Sequence, residues 1–165
     1  DQLPPFTDYA MRGRTYRYFA GAPEYPFGYG LSYTRFAYSD VRLGSPQLSA
    51  GGTQRVSVSV RNEGPTAGDE VVQLYVSHPG IADVPIRALA RFERVHLKKG
   101  ETRRVGFALD ARALSVVDAK GERRLVPGRV DLWIGGGQPV TRPGLPAAAG
   151  VAAQIEVTAG AVLPK

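Results

Sequence analysis

The sequence predicts an all-β protein, an antiparallel β-sandwich of about seven strands that follows an extended N-terminal arm. Three observations support this fold class. Short runs alternate apolar and polar residues, turn residues separate the runs, and helical periodicity is absent apart from one candidate turn in "DARALSV". Twenty glycines and thirteen prolines in 165 residues divide the chain into strand-length segments. Alternation fits a sandwich because each of its sheets has one buried and one solvated face.

Residues 1–30 form the predicted arm, which shows neither the helix period nor the strand period. Eleven of the fifteen aromatic residues fall within residues 1–38, so the arm is too apolar for a disordered tail. We expect its rings to pack either on the sandwich or on a surface outside this chain. In "YPFGYGLSYT", Gly28 and Gly30 are expected to let the chain turn into the first strand with backbone angles that a Cβ would hinder.

The predicted sandwich covers residues 31–160 and begins with "TRFAYSDVRL". Phe36 and Tyr38 are in phase there, whereas Val41 and Leu43 have the opposite parity, which indicates a β-bulge. "ALARFERVHL" shows a similar break. The other strands are "QRVSVSVRN", "DEVVQLYVS", "TRRVGFALD", "GRVDLWIGG" and "AAQIEVT", and each has a regular apolar face. Trp133 is out of phase with the apolar face of its strand, so we expect its ring to point away from the core.

Composition excludes several classes of function. The chain has no cysteine, so disulfides and thiolate metal sites cannot form, and its two histidines are too few for a closed zinc site. The formal charge of +6 is spread over many elements, which argues against nucleic acid. No apolar run approaches the roughly 20 residues of a membrane-spanning helix. Because the chain starts at Asp1, we expect a piece of a longer polypeptide whose targeting signal would lie upstream.

Catalytic patterns are also missing from the sequence. Asp69 and Glu70 are adjacent on a strand, so their side chains should point to opposite faces rather than converge as a pair of catalytic carboxylates. Asp118 is expected to hydrogen-bond the backbone of the turn that follows it. There is no G-x-S-x-G serine motif, and "GGG" at 135–137 lacks the features of a phosphate loop.

Several segments carry a resemblance to a known family. "GRTYRYFAGAPEYPFGYGLSYTRFAYS" resembles the entry into the C-terminal fibronectin type III-like domain of glycoside hydrolase family 3. "VRNEGPTAGDEVVQLYVSHP", "RALARFERVHLKKGETRRVGFAL", "LSVVDAKGE" and "VPGRVDLWIGG" resemble later parts of that domain, in the same order. The resemblance covers about residues 3–158 and implies an immunoglobulin or fibronectin type III-like sandwich.

The resemblance also implies a function. Family 3 enzymes are exo-acting, retaining β-glycosidases with an Asp nucleophile in a barrel domain and an acid/base usually in an α/β sandwich domain. No position of this chain matches either motif, so no catalytic residue and no cofactor is implied. "RTYRYF" resembles the β-xylosidase and α-arabinofuranosidase branch. We therefore expect a non-catalytic accessory domain of a periplasmic or secreted β-xylosidase or β-glucosidase, whose partners are the two catalytic domains of the same polypeptide.

Two kinds of candidate site follow. Interdomain docking is expected of one group of residues in the arm and at its junction with the first strand, namely Arg14, Tyr16, Tyr18, Phe19, Tyr25, Phe27, Tyr29 and Tyr33, with Arg12 and Arg17 beside them. Trp133 is the candidate for contact with oligo- or polysaccharide. An independent carbohydrate-binding module is the second hypothesis, and an adhesion domain of ordinary fibronectin type is the third.

Overall fold

The computed structural model describes residues 4–49 and 51–164 and has one helical turn and eleven strands. Seven strands have eight or more residues, as the sequence predicts: β1 Phe36–Leu43, β3 Gln54–Asn62, β4 Gly68–Ser77, β5 Ala88–Leu97, β6 Thr102–Leu109, β9 Gly128–Gly135 and β10 Gly150–Val157. Four short strands were not predicted, because two or three residues cannot show a period: β2 Gln47–Leu48, β7 Val116–Val117, β8 Arg123–Leu125 and β11 Ala161–Leu163.

The long strands form two sheets that pack face to face. One has the order β1-β3-β6, and the other has the order β2-β10-β9-β4-β5; all pairs of long strands are antiparallel, whereas the short β2 pairs with β10 in parallel. A small third sheet has the order β11-β8-β7. The predicted antiparallel β-sandwich is therefore confirmed.

The core lies between the two large sheets and consists of the side chains that the alternation assigns to the inner faces. Each is at most 9% exposed: Phe36, Val56, Val58, Val60, Val72, Leu74, Val76, Val95, Leu97, Val105, Phe107, Leu109, Val130, Leu132, Ile134, Ile155 and Val157. Burial of one such side chain contributes about 1.5–3 kcal/mol, so this set dominates the stability of the fold. The outer faces are available for other contacts.

The predicted break in β1 is a β-bulge, whereas the predicted break between Phe92 and Val95 in β5 is not. In β1 the register shifts between Ser39 and Arg42, and Asp40 takes a left-handed φ of 51°. In β5, Arg91 pairs with Leu74 while Leu89 pairs with Tyr75, which leaves Ala90 as the extra residue. A bulge inverts the parity of all later side chains, and this is why the apolar pattern changes parity within β1. The bulge of β5 precedes Phe92, and the pairing is regular after it. Phe92 and Val95 differ in parity because Phe92 is 68% exposed on the outer face whereas Val95 is buried.

One buried polar side chain, Asn62, ties the end of β3 to its surroundings. Its Oδ1 accepts from the backbone N–H of Gly64 at 3.0 Å and from the Thr34 hydroxyl at 2.5 Å. Its Nδ2 donates to the carbonyl oxygens of Thr66 at 2.8 Å and Leu97 at 3.0 Å. All four hydrogen-bonding positions of the amide are therefore filled, as burial of such a group requires.

The arm has one short element, α1 (Thr15–Tyr18), which the sequence did not predict because a single turn shows no periodicity. Two backbone hydrogen bonds attach the arm to the sandwich: the N–H of Ile86 donates to the carbonyl of Arg17 at 2.7 Å, and that of Gln138 donates to Phe27 at 3.0 Å. The candidate turn in "DARALSV" forms, with Leu114 N–H donating to Asp110 O at 3.3 Å. Within the described residues, no helix has the length and apolarity needed to span a bilayer.

Candidate functional site

The junction between arm and sandwich depends on Gly28. This residue has a φ of 84°, and a Cβ there would lie 2.8 Å from the Gln73 amide and 2.9 Å from the Cα of Gly137. Both the backbone angle and the close approach therefore require glycine, as the sequence predicts. The same prediction for Gly30 is wrong, because its φ is ordinary and no atom lies within 4 Å of a Cβ built there.

Tyr16 joins the arm to the outer face of the five-stranded sheet. Its ring stacks on Phe27 with centroids 4.1 Å apart and meets the edge of Tyr75 at 6.3 Å. Its hydroxyl accepts a hydrogen bond from the backbone N–H of Leu89 at 3.1 Å. Tyr75 is 1% exposed and its burial raises the pKa of its phenol. Part of the arm's aromatic surface is thus used inside this chain.

The remaining residues at the start of the arm also make contacts within the chain. The Arg14 guanidinium donates to the carbonyl oxygens of Pro5 at 3.0 Å and Ala10 at 3.1 Å, so it closes the first loop of the arm. Arg17 lies over the Tyr18 ring at 5.9 Å, a cation–π distance. Tyr18 and Phe19 are half-buried.

In the structure the segment before β1 extends to Arg35, and the arm therefore includes Leu31 and Tyr33. A second set of arm side chains faces solvent. Tyr25 is 65% exposed and packs only loosely on Tyr29, with ring centroids 5.2 Å apart. Tyr33 is 96% exposed. Three more large apolar residues of the arm are at least 87% exposed, namely Phe6, Tyr9 and Leu31. The arm therefore has an inner pair of rings, of which Tyr16 meets the sheet, and an outer set that the described residues leave exposed.

Trp133 lies on the outer face of β9, which confirms the sequence prediction. It stands between Tyr75 on β4 and Ala152 on β10. The indole Nε1 donates to the carbonyl of Gly137 at 2.9 Å. A Cβ on Gly150 would overlap the six-membered ring of Trp133, so the absence of a side chain at that position lets the indole lie against the backbone. The ring orientation is fixed by both contacts.

Polar side chains surround Trp133 in a cleft of about 440 Å³. Asp131 lies two residues before Trp133 on the same face of β9, and its cross-strand neighbours are Ser77 and Gln154. The Arg129 guanidinium pairs with Asp131 through Nε–Oδ1 at 2.6 Å and Nη2–Oδ2 at 3.1 Å. Arg87, from the loop before β5, also lines the cleft. Of these residues, only Trp133 was predicted from the sequence, although alternation could have added Asp131, which lies on the same face of β9.

The adjacent carboxylates Asp69 and Glu70 point in opposite directions, as predicted. Asp69 contacts His96 Nδ1 at 2.6 Å and the Arg94 guanidinium, and these two hydrogen bonds lower the pKa of its carboxyl. Glu70 accepts from the Tyr38 hydroxyl at 2.6 Å. Burial raises the pKa of both Glu70 and Tyr38. The two carboxylates therefore lie in separate environments and do not face each other as a glycosidase pair would.

Two further titratable side chains, those of His78 and Asp118, have specific surroundings. His78 lines a cavity of about 240 Å³ with Arg17 and Tyr18, its Nδ1 is buried without a hydrogen-bond partner, and its burial lowers its pKa. Asp118 accepts from the backbone N–H of Lys120 at 2.9 Å and of Glu122 at 3.0 Å, so it holds the predicted turn. In residues 4–49 and 51–164, no three His, Asp or Glu side chains cluster in a way that could hold a metal ion.

Comparison with known proteins agrees with this architecture. Residues 70–138 match the family model described as a fibronectin type III-like domain. The chain is 40% identical over 140 residues to a probable β-glucosidase D of Emericella nidulans, 38% over 135 residues to a xylan 1,4-β-xylosidase of Xylanibacter ruminicola, and 37% over 147 residues to a periplasmic β-glucosidase of Salmonella typhimurium. These matches cover 73%, 81% and 81% of this chain but only 17%, 15% and 19% of those proteins.

A solved structure gives the same result in three dimensions. β-Glucosidase 3B from Thermotoga neapolitana, in complex with glucose, superposes with a TM-score of 0.76 at 29% identity, over 91% of this chain and 19% of that one. The protein is a fibronectin type III-like β-sandwich domain. It belongs to the fibronectin type III-like domains of glycoside hydrolase family 3, the family that the sequence motifs predict.

Proposed function

We propose that this chain is a non-catalytic accessory domain of an exo-acting, retaining β-glycosidase of the β-xylosidase or β-glucosidase type, which acts on plant cell-wall polysaccharides. In this role it braces the barrel and α/β sandwich domains of the same polypeptide. The chain spans less than a fifth of the curated relatives that it matches, which supports additional domains. The separate environments of Asp69 and Glu70 support a non-catalytic role.

The observation that carries the proposal is the outer set of arm side chains. Tyr33, Leu31 and Phe6 are 96%, 91% and 89% exposed, although each would gain about 1.5–3 kcal/mol from full burial. Isolated exposed apolar residues are common on proteins, but a concentration of aromatic residues in one segment is typical of an interface. Tyr16 and Phe27, which stack inside the chain, position this segment against the sandwich.

A comparison of two polypeptides tests the docking role. Docking predicts that the sandwich melts at a higher temperature in the longer polypeptide, which includes the preceding domains, than as the 165-residue chain. Leu31→Ser and Tyr33→Ser should reduce this difference and leave the melting temperature of the 165-residue chain unchanged, because both side chains are exposed there. Phe92→Ser is the matched control, since Phe92 is 68% exposed but lies on β5 rather than on the arm. Equal melting temperatures for all variants of the longer polypeptide would disprove docking through the arm.

The second candidate function is an independent carbohydrate-binding module, which the cleft beside Trp133 favours. A module targets polymer without docking on other domains. It would therefore bind xylan or xylo-oligosaccharides as the 165-residue chain, while the arm substitutions would have no effect in the longer polypeptide. The two experiments together separate the hypotheses.

A periplasmic or secreted location is part of the proposal. It rests on the relative from Salmonella typhimurium, which is named a periplasmic β-glucosidase, and on the polymeric nature of the proposed substrate. Fractionation of the native organism with an antibody against this chain tests the location, and recovery in the cytoplasmic fraction would contradict it.

A further inference from the structure

The outer face of the five-stranded sheet presents two adjacent rows of side chains with different chemistry. The first row crosses β4, β9 and β10 as Tyr75, Trp133 and Ala152, and the second as Ser77, Asp131 and Gln154. Rows two residues apart along a strand are separated by about 6.6 Å. The face thus places an aromatic ring beside a line of hydrogen-bonding groups.

The aromatic part of this surface is already organised. Trp133 is held by its hydrogen bond to Gly137 and by its position against Gly150, so binding of a ligand would not have to order it. Ala152, its neighbour on β10, is too small to cover the ring. Tyr75 on the other side is covered by the arm through Tyr16, whereas Trp133 lines the open cleft.

The hydrogen-bonding row is suited to hydroxyl groups. Asp131 is fixed by two hydrogen bonds from Arg129, and it keeps acceptor capacity because each carboxylate oxygen can accept more than one hydrogen bond. Gln154 offers both a donor and an acceptor beside it. A fixed ring next to paired donors and acceptors complements a sugar, which has an apolar face and a polar edge. The cleft volume of about 440 Å³ is within the range of small-molecule sites.

Arg87 adds a positive charge to this cleft. It is half-buried, and burial lowers the pKa of its guanidinium, while the nearby Tyr75 phenol has the opposite effect. In the part of the chain that the structure describes, no carboxylate lies within ion-pair distance of Arg87; the carboxylate of the cleft, Asp131, is paired with Arg129. A guanidinium in a partly dry cleft without a counter-charge favours an anionic ligand, and its planar donors suit a carboxylate.

We propose that the cleft formed by Arg87, Asp131, Trp133 and Gln154 binds a carboxylated saccharide, a uronic acid residue of an oligosaccharide. Trp133 contacts the face of the sugar ring, Asp131 and Gln154 bind its hydroxyl groups, and Arg87 binds its carboxylate. The proposal rests on the proposed function only in taking the ligand to be a saccharide. It does not require docking through the arm, because none of these four residues belongs to the arm.

Titration of the 165-residue chain tests the site, with the fluorescence of Trp133, its only tryptophan, as the signal. The probes are a xylo-oligosaccharide with one glucuronic acid substituent and the unsubstituted xylo-oligosaccharide of equal length. We expect saturable binding of the acidic probe, about tenfold tighter than that of the neutral probe, as a charge-assisted hydrogen bond provides. Arg87→Gln should remove the preference, and its matched control, Arg61→Gln on β3 of the other sheet, should retain it.

Three outcomes would overturn the proposal. The first is an absence of binding by either probe. The second is that the chain binds both probes with equal affinity and that Arg87→Gln does not change either affinity. This result would show a site for neutral sugars in which Arg87 has no role. The third is binding of an acetylated Gly-Glu-Gly amide with no binding of the saccharides, which would show that the cleft receives a protein carboxylate. Because these measurements use no second domain, their failure is distinguishable from the failure of docking.

Discussion

Gly150→Ala is expected to destabilise the domain through the side chain of Trp133. A Cβ at position 150 would overlap the indole ring and would lie 2.7 Å from the carbonyl oxygen of Ile134, a distance that real Cβ atoms do not show. The backbone of Gly150 does not have a left-handed φ, so the effect is steric and not conformational. Either the indole must leave its position, losing its hydrogen bond to Gly137, or β10 must move away from β9.

The size of the effect follows from two opposing contributions. Overpacking by one methyl group costs about 1–3 kcal/mol. Replacement of a strand glycine by alanine contributes about 0.5–1 kcal/mol in the other direction, because alanine loses less conformational entropy on folding. The net loss in the free energy of unfolding is therefore about 1–2 kcal/mol. For a domain of this size the melting temperature should fall by about 2–8 °C.

Urea denaturation followed by both tryptophan fluorescence and far-ultraviolet circular dichroism measures this change. Gly106→Ala is the matched control, since Gly106 is also a strand glycine without a left-handed φ, and its nearest neighbour, Val56 O, is 4.0 Å from a Cβ built there. We expect the control to be stabilised by about 0.5 kcal/mol. If Gly150→Ala were as stable as the control and its fluorescence spectrum were unshifted, the steric reasoning would be refuted.

Three other substitutions have defined outcomes. Asn62→Ala leaves buried carbonyl and N–H groups without partners and should lower the free energy of unfolding by about 3 kcal/mol in urea titrations at pH 7; a loss under about 1 kcal/mol would contradict this. Burial lowers the pKa of His78 in the folded chain, so the unfolded chain takes up this proton at a higher pH and the free energy of unfolding decreases between pH 7.5 and 5.5. His78→Gln should show a smaller decrease over the same range, and a decrease equal to that of the unsubstituted chain would exclude this role. Tyr38→Phe removes a hydrogen-bond donor that favours the ionised form of Glu70, whose pKa burial raises. The stability deficit of this variant should therefore be larger at pH 7 than at pH 4.5, where the raised pKa keeps more than half of Glu70 protonated; a deficit independent of pH would contradict the coupling.

The sandwich could be predicted from the sequence because alternation records which side chains face the core. The same rule located the bulge in β1 and placed Trp133 on the outer face, since a change of parity in the sequence is a change of face in the sheet. It misplaced the irregularity of β5, because the outward-facing Phe92 was counted with the apolar face while the bulge lies earlier, at Ala90. The short strands could not be found in this way. β2 has two residues, and its pairing with β10 depends on a contact more than one hundred positions away.

The candidate sites were less predictable because they depend on contacts between distant segments. Tyr16 and Phe27 are similar in the sequence to Tyr25 and Tyr33, but it is the first two that stack on each other, with Tyr16 in contact with Tyr75 of the sheet. Arg87 lies in a loop, where no periodicity shows which way its side chain points. The error at Gly30 has the same origin: two neighbouring glycines look equivalent in the sequence, and only Gly28 is approached by Gln73 and Gly137.

The two bulges have a consequence for how copies of the domain behave at high concentration. β1 and β5 are edge strands of their sheets, and each is interrupted, at Asp40 and at Ala90 respectively. The opposite edges are β2, which has only two residues, and β6, which carries exposed Arg103 and Arg104. Interrupted, very short and charged edges do not offer a straight template to a foreign strand. The domain therefore resists edge-to-edge aggregation, a protection that an exposed β-sandwich needs.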